Sequence, residues 1–513
     1  MPFAEPHLHG SARADGKIRV AVLVPAQTMA GLPPQAVRLL AELLADAEFA
    51  IRVFAASAPV RELLSPTIAP VLAVERWAIP LPRRNALPVL PAVAVEPSGA
   101  ARQAAWDIIV DLGGGAADTA LADAATHGLW RIVAQPLRAA LASCTFTEAV
   151  LVRYDGDKSE PRVIARAVYD TKPLATHNAA YVTEKSAQMI LREIKRCARD
   201  GVSADLGLAE TVASGPAPGA FGYFVQTAAK TLQRLRRHIA TRRGQFPQGF
   251  SLRLGHGSAL DFDPAAARPV PMPEVALRAD PFLIAHDGAV HCFFEDVDPK
   301  VGHGHIGVGR VTETGLSDVR PALRMPHHMS YPFVFHHEGA LMMMPEVHAA
   351  GRLEIWRCTN FPDRWELHAT AFEGTPVADS VLFDREGEWW LFTHISRDSF
   401  GDFCSDLHVF RVDGPQLTGL VPHRLNPVVT DASTARGGGR ILNSDGRLLR
   451  YSQDNSGGSY GHALNVMEIV HLDLDHYEER RVRHITADFT PGLIGCHHFD
   501  ALDGWFMIDV RKA

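Results

Sequence analysis

Apolar residues fall in two different rhythms along the chain. In the first 200 residues, unbroken apolar runs alternate with runs at helical spacing. IRVAVLV (18–24) predicts a buried strand, QAVRLLAELLAD (35–46) an amphipathic helix, FAIRVFAAS (49–57) a second strand and WDIIVDLGG (106–114) a third. This alternation predicts an α/β domain over residues 1–205, built on a mostly parallel, doubly wound sheet. Such sheets place ligands at the carboxyl ends of their strands, here near Pro25 and Gly113-Gly114-Gly115. The glycine run lacks the GxGxxG spacing and reads as a plain turn.

Beyond residue 248 the pattern becomes a repeated hairpin. ALRADPFLIAHDGAVHCFFED (276–296) has an apolar run, an acid plus glycine, and a second apolar run; YPFVFHHEGALMMMPE, SVLFDREGEWWLFTH, GRILNSDGRLLRYSQD and HHFDALDGWFMIDV repeat it. The turn glycines Gly288, Gly339, Gly387, Gly446 and Gly504 are 51, 48, 59 and 58 residues apart. Asp-Gly and Glu-Gly tolerate the positive φ that two-residue hairpin loops need. Five such units, rich in aromatic and β-branched residues, predict a five-bladed β-propeller, an all-β domain over 248–513. The fifth hairpin runs to GWFMIDVRKA without sequence for outer strands, and FSLRLGHG (250–257) is expected to supply one and fasten the ring.

Residues 206–247 join the two domains. After a Gly/Pro-rich stretch, Phe221, Phe224, Val225, Ala228, Leu232, Leu235 and Ile239 recur at helical spacing among basic residues. This predicts a linker helix docked on its own domains, with peripheral membrane contact through 221–243 as the other reading.

Composition adds exclusions. The chain has 513 residues, 47% hydrophobic and 21% charged, with a net charge of −7, which gives no reason to expect nucleic acid as a partner. No stretch reaches the roughly 18 apolar residues of a membrane span, and no signal peptide is seen at the start. Six cysteines without a CxxC pair suggest neither a zinc site nor a disulfide framework, and a cytoplasmic location is expected.

The repeat also places candidate chemistry. In a propeller the start of each first strand and the end of each second strand face one rim of the axis. Seven residues before each turn acid stand Asp280, Tyr331, Asp379, Gly438 and Cys496; eight residues after the first four stand Glu295, Glu346, His394 and Gln453. Asp280, Glu295, Glu346 and Asp379 should therefore form an acidic mouth. Facing carboxylates suit glycosyl chemistry, one protonating the leaving oxygen and one serving the other face of the sugar. Crowding raises some of their pKa values. Structural capping is the competing reading. Glu295, His394, His423, Asn426, Arg436, Gln453 and Asp454 are expected to bind substrate, the arginine and amides suiting sugar hydroxyls or a phosphate. No cofactor is expected, an axial metal ion is left open, and His303 with His305 lacks a third ligand.

Two resemblances refine this picture. IRVAVLV, WDIIVDLGGG, HGLWRI (127–132), FTEAVLV (146–152) and YVTEKSAQMILREIKRC resemble the formyltransferase-like domain of some bacterial two-part proteins. The histidine that family places after the GLW position is absent, so a degenerate domain used for structure or binding is implied. The second half is similar to the N-terminal domain of glucosamine inositolphosphorylceramide transferases, through ADPF (279–282), GHIGV (304–308), SYPFVF (330–335), MPE (344–346), FPDRW (361–365), WWLFT (389–393), HRLNPVV (423–429), and SQDNS (452–456) followed by YGHAL. At a further remove it resembles five-bladed glycosidases of the arabinanase and invertase type. These resemblances imply a sugar, glycan or glycolipid substrate, Asp280 as base or nucleophile, Glu346 as acid and Asp379 as an orienting group. The glycosyltransferase domain that follows in the plant proteins is not expected here, and a noncatalytic glycan-binding or scaffold module is the alternative.

Overall fold

The computed structural model describes residues 16–25, 28–56, 67–113, 119–156, 160–208, 219–243, 249–273, 277–297 and 302–512. Gly114-Gly115 and most of the Gly/Pro-rich linker lie outside the described residues.

The N-terminal sheet has seven strands. Ile18–Val24 lies between Phe49–Ala55 and Ile108–Asp111, with Val95–Pro97 beyond the former and Leu129–Ala134 beyond the latter, all parallel. Phe146–Tyr154 and Arg162–Asp170 then add an antiparallel hairpin, so the sheet is mixed. Alternation along Ile18–Val24 serves two layers: Val20, Val22 and Val24 pack under the helices Pro34–Ala45 and Ala175–Asp200, while Ala21 and Leu23 face a smaller cluster with Trp106 and Leu121.

The second domain is a five-bladed propeller. Four blades are four-stranded antiparallel sheets beginning at Leu277, Ser330, Val377 and Gly437. All five hairpins close as expected. Asp287, Glu338, Glu386, Asp445 and Asp503 have φ between 47° and 56°, and each following glycine lies between 72° and 90°, the backbone of a type I′ turn. In the fifth blade Trp505–Lys512 pairs with Phe499–Leu502 on one side and with Phe250–His256 on the other, Met507 opposite Leu254. The ring is thus fastened between its two ends by strand hydrogen bonds.

The N-terminal domain sits on the propeller rim over blades 3 and 4. The edge strand Arg162–Asp170 reaches residues 431–432, Ala432 N donating to Val168 O (2.9 Å) and Val168 N to Asp431 Oδ2 (3.2 Å). Residues 396–407, which join the second and third strands of blade 3, are held by Asn85 Nδ2 on Asp398 O (2.9 Å), by Arg84 N on Ser399 O (2.9 Å) and by Tyr181 with Ser405. At the centre Lys185, fully buried, meets Asp406, Asp402 (3.5 Å) and Asp398 (3.6 Å). Burial opposes the charge on Lys185, and the three carboxylates outweigh it, holding its pKa well above the ordinary value.

The linker helix Ala220–Arg242 departs from expectation: it docks through Tyr223 and polar neighbours, while its apolar stripe is exposed. Among the described residues no helix is long and apolar enough to cross a membrane.

Replacing Lys185 by Met leaves three buried carboxylates facing one another. It should lower stability by about 3–5 kcal/mol in denaturant titration. An unchanged midpoint would show that the clasp does not hold the domains together.

Candidate active site

The inner strands do not run straight past the axis. In the first four blades pairing with the second strand breaks at the same place, after Ala279, Ser330, Ala378 and Gly437. Each break is a bulge, and Asp280, Tyr331 and Asp379 sit in it with φ of 52°, 47° and 44°. Left-handed backbone is strained for side-chain-bearing residues by about 1 kcal/mol or more, least for Asp, so something must hold it.

What holds it is a belt of hydrogen bonds from blade to blade. Asp280 N donates to Asp509 Oδ2 of blade 5 (3.1 Å), Tyr331 N to Asp280 Oδ2 of blade 1 (3.2 Å), Asp379 N to Glu346 Oε2 of blade 2 (3.2 Å), and Gly437 N to His394 Nε2 of blade 3 (2.9 Å). In blades 1 to 3 the bulge amide is received by a side chain of the blade before it, and in blade 4 the amide just ahead of the bulge is received in the same way. The mouth acids are therefore acceptors in the fold as well as candidates for chemistry.

Their environments differ. Burial works against ionisation of Asp379, but Arg436 outweighs it: Nε lies 2.6 Å from Asp379 Oδ2, and Gln453 Nε2 donates to the same oxygen (3.1 Å), so Asp379 titrates below the usual carboxylate range. Glu346 is pushed well above that range by burial and by the Asp379 charge, with Arg436 Nη2 at 3.7 Å opposing. Asp280 is raised to about 7 by burial, with His497 at 3.6 Å opposing. Glu295 is raised by burial and by Asp280; His328, half exposed, reaches it at 3.3 Å. Asp379 thus titrates below its neighbours Glu346, Asp280 and Glu295.

Below the acids the axis is filled. The Tyr331 hydroxyl bonds both N and O of Gly439 (3.1 Å each) across the ring, and Tyr331 packs edge-on to Phe282 and His498. Arg440 makes a two-pronged pair with Asp500 (2.8 and 2.9 Å) and caps Leu283 O (2.8 Å). Above, Tyr460 lies over Arg436 (5.2 Å) and edge-on to His497 (5.3 Å). Tyr460 and Cys404 also line a cleft of about 440 Å³, whose other walls include Asp170 and Lys172 of the N-terminal domain and Arg511 of blade 5. Cys404 Sγ is 3.6 Å from Arg436 Nη1, so the loop gripped by the N-terminal domain touches the site.

Asp280, Glu295, Glu346, Asp379, Arg436 and Gln453 come together at this mouth; four other expected substrate binders are occupied locally. His394 accepts from Gly437 N and donates from Nδ1 to Asp406 O (2.9 Å), and burial lowers its pKa to about 4, so it is a neutral strut. His423 is buried and caps Leu425 N (3.0 Å). Asn426 imitates a strand partner to Val409, bonding both its N and O (2.9 and 2.8 Å). Asp454 ties Ser456 (2.6 Å) and His484 (3.2 Å). His394, His423 and Asn426 answer backbone groups, and Asp454 answers neighbouring side chains.

The residues not anticipated are Asp509, His497 and His498. Asp509 receives N of both histidines (3.0 Å each), and His497 Nδ1 lies 2.7 Å from it. Burial lowers the His497 pKa, but Asp509 and Asp280 more than reverse this. Asp280, His497 and Asp509 each bring one ligand atom within 4.8 Å of the others, and of the described residues these could hold a divalent cation. An acid inside the apolar strand WFMIDV was the available signal.

Strand order and site together define a five-bladed propeller with an acidic axial mouth, walled in part by an α/β domain. Within it, residues 267–492 match the family model described as "Glucosamine inositolphosphorylceramide transferase 1, N-terminal". The chain is 32% identical over 231 residues to Glucosamine inositolphosphorylceramide transferase 1 of Arabidopsis thaliana, covering 43% of this chain and 30% of that protein. It is 34% identical over 243 residues to the protein of that name from Oryza sativa subsp. japonica, covering 45% and 32%. The chain thus spans about a third of the length of these curated relatives. Among solved structures, an α-L-arabinofuranosidase from Lactobacillus brevis is 16% identical (46% of this chain, 84% of that one; TM-score 0.34). A family 117 glycoside hydrolase from Zobellia galactanivorans is 10% identical (52% and 90%; TM-score 0.34). The propeller assignment rests on the strand pairing above and not on these scores.

Removing the Asp379 charge strands a buried guanidinium, so Asp379→Asn should lose roughly 3 kcal/mol at neutral pH. Asp280 behaves oppositely. Its folded pKa of about 7 lies above its ordinary 3.8, so its contribution is fully present at low pH and is lost as pH rises through 7. Asp280→Asn keeps an acceptor for Tyr331 N and should gain on the wild type between pH 5 and 8 in chemical denaturation, by about 1 kcal/mol or more. Equal losses in both variants would contradict the assigned charge states.

Proposed function

We propose that the propeller acts on glycosidic bonds of a glycan or glycolipid, by hydrolysis or transfer, at the axial mouth. The observation that carries this reading is the pair Glu346 and Asp379 around Arg436: burial and the Asp379 charge push the Glu346 pKa up, while Arg436 at 2.6 Å pulls that of Asp379 down. Glycosyl chemistry needs one carboxyl that keeps its proton near neutral pH and another that can give electrons. Glu346 is the acid, delivering its proton to the departing oxygen. Asp280, ionising near pH 7, is the base or nucleophile on the other face. Asp379 touches neither bond; it keeps the Glu346 proton in place. Glu295 with His328, and Arg436 with Gln453, line the sugar's approach, and the cleft bounded by Lys172 and Arg511 accepts the flanking part of the substrate.

The resemblance to glucosamine inositolphosphorylceramide transferases supports a glycolipid or its glycan as the substrate class. The transfer reaction in their name is not carried over, since the match covers about a third of those proteins. The N-terminal sheet is read as a formyltransferase-like domain that has become a wall of the cleft. A noncatalytic glycan-binding role is favoured by one observation: Asp280, Glu346 and Asp509 each receive a backbone amide of the neighbouring blade.

The test is a screen of the purified protein against glycosides and sugar nucleotides. Glu346→Gln and Asp280→Asn should each lower kcat by about 10²-fold or more. In the wild type, rate should rise through about pH 7 as Asp280 ionises and fall where Glu346 ionises. Activity unchanged in both variants would overturn the site; sugar binding without turnover would establish the noncatalytic role.

A further inference from the structure

The helix Ala220–Arg242 is inside out. At about 100° per residue, Phe221, Phe224, Val225, Leu232, Leu235 and Ile239 fall in one stripe. In a soluble linker helix that stripe would face the domain. Here Phe221 is 81% exposed and Ile239, the least exposed of the six, 41%. The opposite face docks: the buried Tyr223 donates to Glu75 Oε2 (2.5 Å) and receives Ala175 N (2.8 Å), while Gln226 and Lys230 bond the Ser143 hydroxyl (2.8 and 3.2 Å). The domain has fixed the polar side of the 23-residue helix and left its six-residue apolar stripe to another phase.

We infer that this face lies on a lipid bilayer carrying anionic headgroups. Charge selects that occupant. From 220 to 243 the sequence has no Asp or Glu and carries Lys230, Arg234, Arg236, Arg237, Arg242 and Arg243, in a chain whose net charge is −7. At 100° per residue Arg236, Arg242 and Arg243 flank the stripe, whereas Lys230 is on the docked face. A second copy laid stripe against stripe would set these three cationic positions against their own kind, whereas an anionic membrane accepts the apolar side chains and the flanking cations together. The inference rests on the helix alone and is independent of the proposed axial chemistry. It would bring the protein to the surface on which a glycolipid resides.

The test is co-sedimentation of the full chain with vesicles of phosphatidylcholine, alone or with roughly a third phosphatidylserine. Binding should be at least about tenfold stronger on the anionic vesicles, weaken at high salt, and fall about tenfold in Leu232→Glu/Leu235→Glu. Because both leucines are exposed, the variant should unfold at the wild-type temperature, which separates lost binding from lost fold. Equal binding to neutral vesicles, no binding by the wild type, or full binding by the variant would overturn the inference. So would a wild-type dimer that the same substitutions dissociate, since the stripe would then belong to a second copy.

Discussion

The amides at the inner-strand bulges of the first three blades must find acceptors on the preceding blade, and most of what is distinctive about this propeller follows from that constraint. A straight inner strand would leave the axis lined by ordinary alternation. The left-handed residues at 280, 331 and 379 turn their N–H groups sideways, toward Asp509, Asp280 and Glu346. Acids are thereby drawn to the axis, buried and crowded. Crowding then decides their charge: Arg436 chooses Asp379 as its partner, and Glu346 and Asp280 are left holding protons to higher pH.

The two domains serve the same mouth. Blade 5, fastened by Phe250–His256, contributes Asp509 and the two histidines that complete the belt. The N-terminal domain grips residues 396–407 through Lys185 and Asn85, and Cys404 of that loop lies against Arg436. A buried lysine among three aspartates is a poor way to gain stability and a good way to specify one arrangement, because any other docking leaves charges unmatched. On this account the α/β domain positions the rim from a distance of one loop.

Much of this was legible in the sequence. The five acid-glycine turns, the closing strand at 250 and the placing of Asp280, Glu346 and Asp379 at one rim follow from period-two alternation and turn chemistry, which are local. His394, His423, Asn426 and Asp454 looked like ligand-binding residues because residue type shows capacity for hydrogen bonding but not whether backbone has already claimed it. His497 and Asp509 escaped the count because the inner strand of blade 5 is short, Phe499–Leu502, and the spacing kept by the other blades shifts there. The linker helix shows the same limit: periodicity identified its apolar face and could not tell which way that face points.

Burial and the neighbouring Asp379 charge hold the Glu346 proton to higher pH, the condition on which its role as the acid depends. Infrared difference spectroscopy of the carboxyl stretch reads this directly, without any substrate. At pH 7 the protein should show protonated-carboxyl absorption that loses one component in Glu346→Gln, a component that Asp280→Asn retains. A wild-type spectrum that Glu346→Gln leaves unchanged would mean that Glu346 is ionised in the fold, and the acid role assigned to it would be wrong.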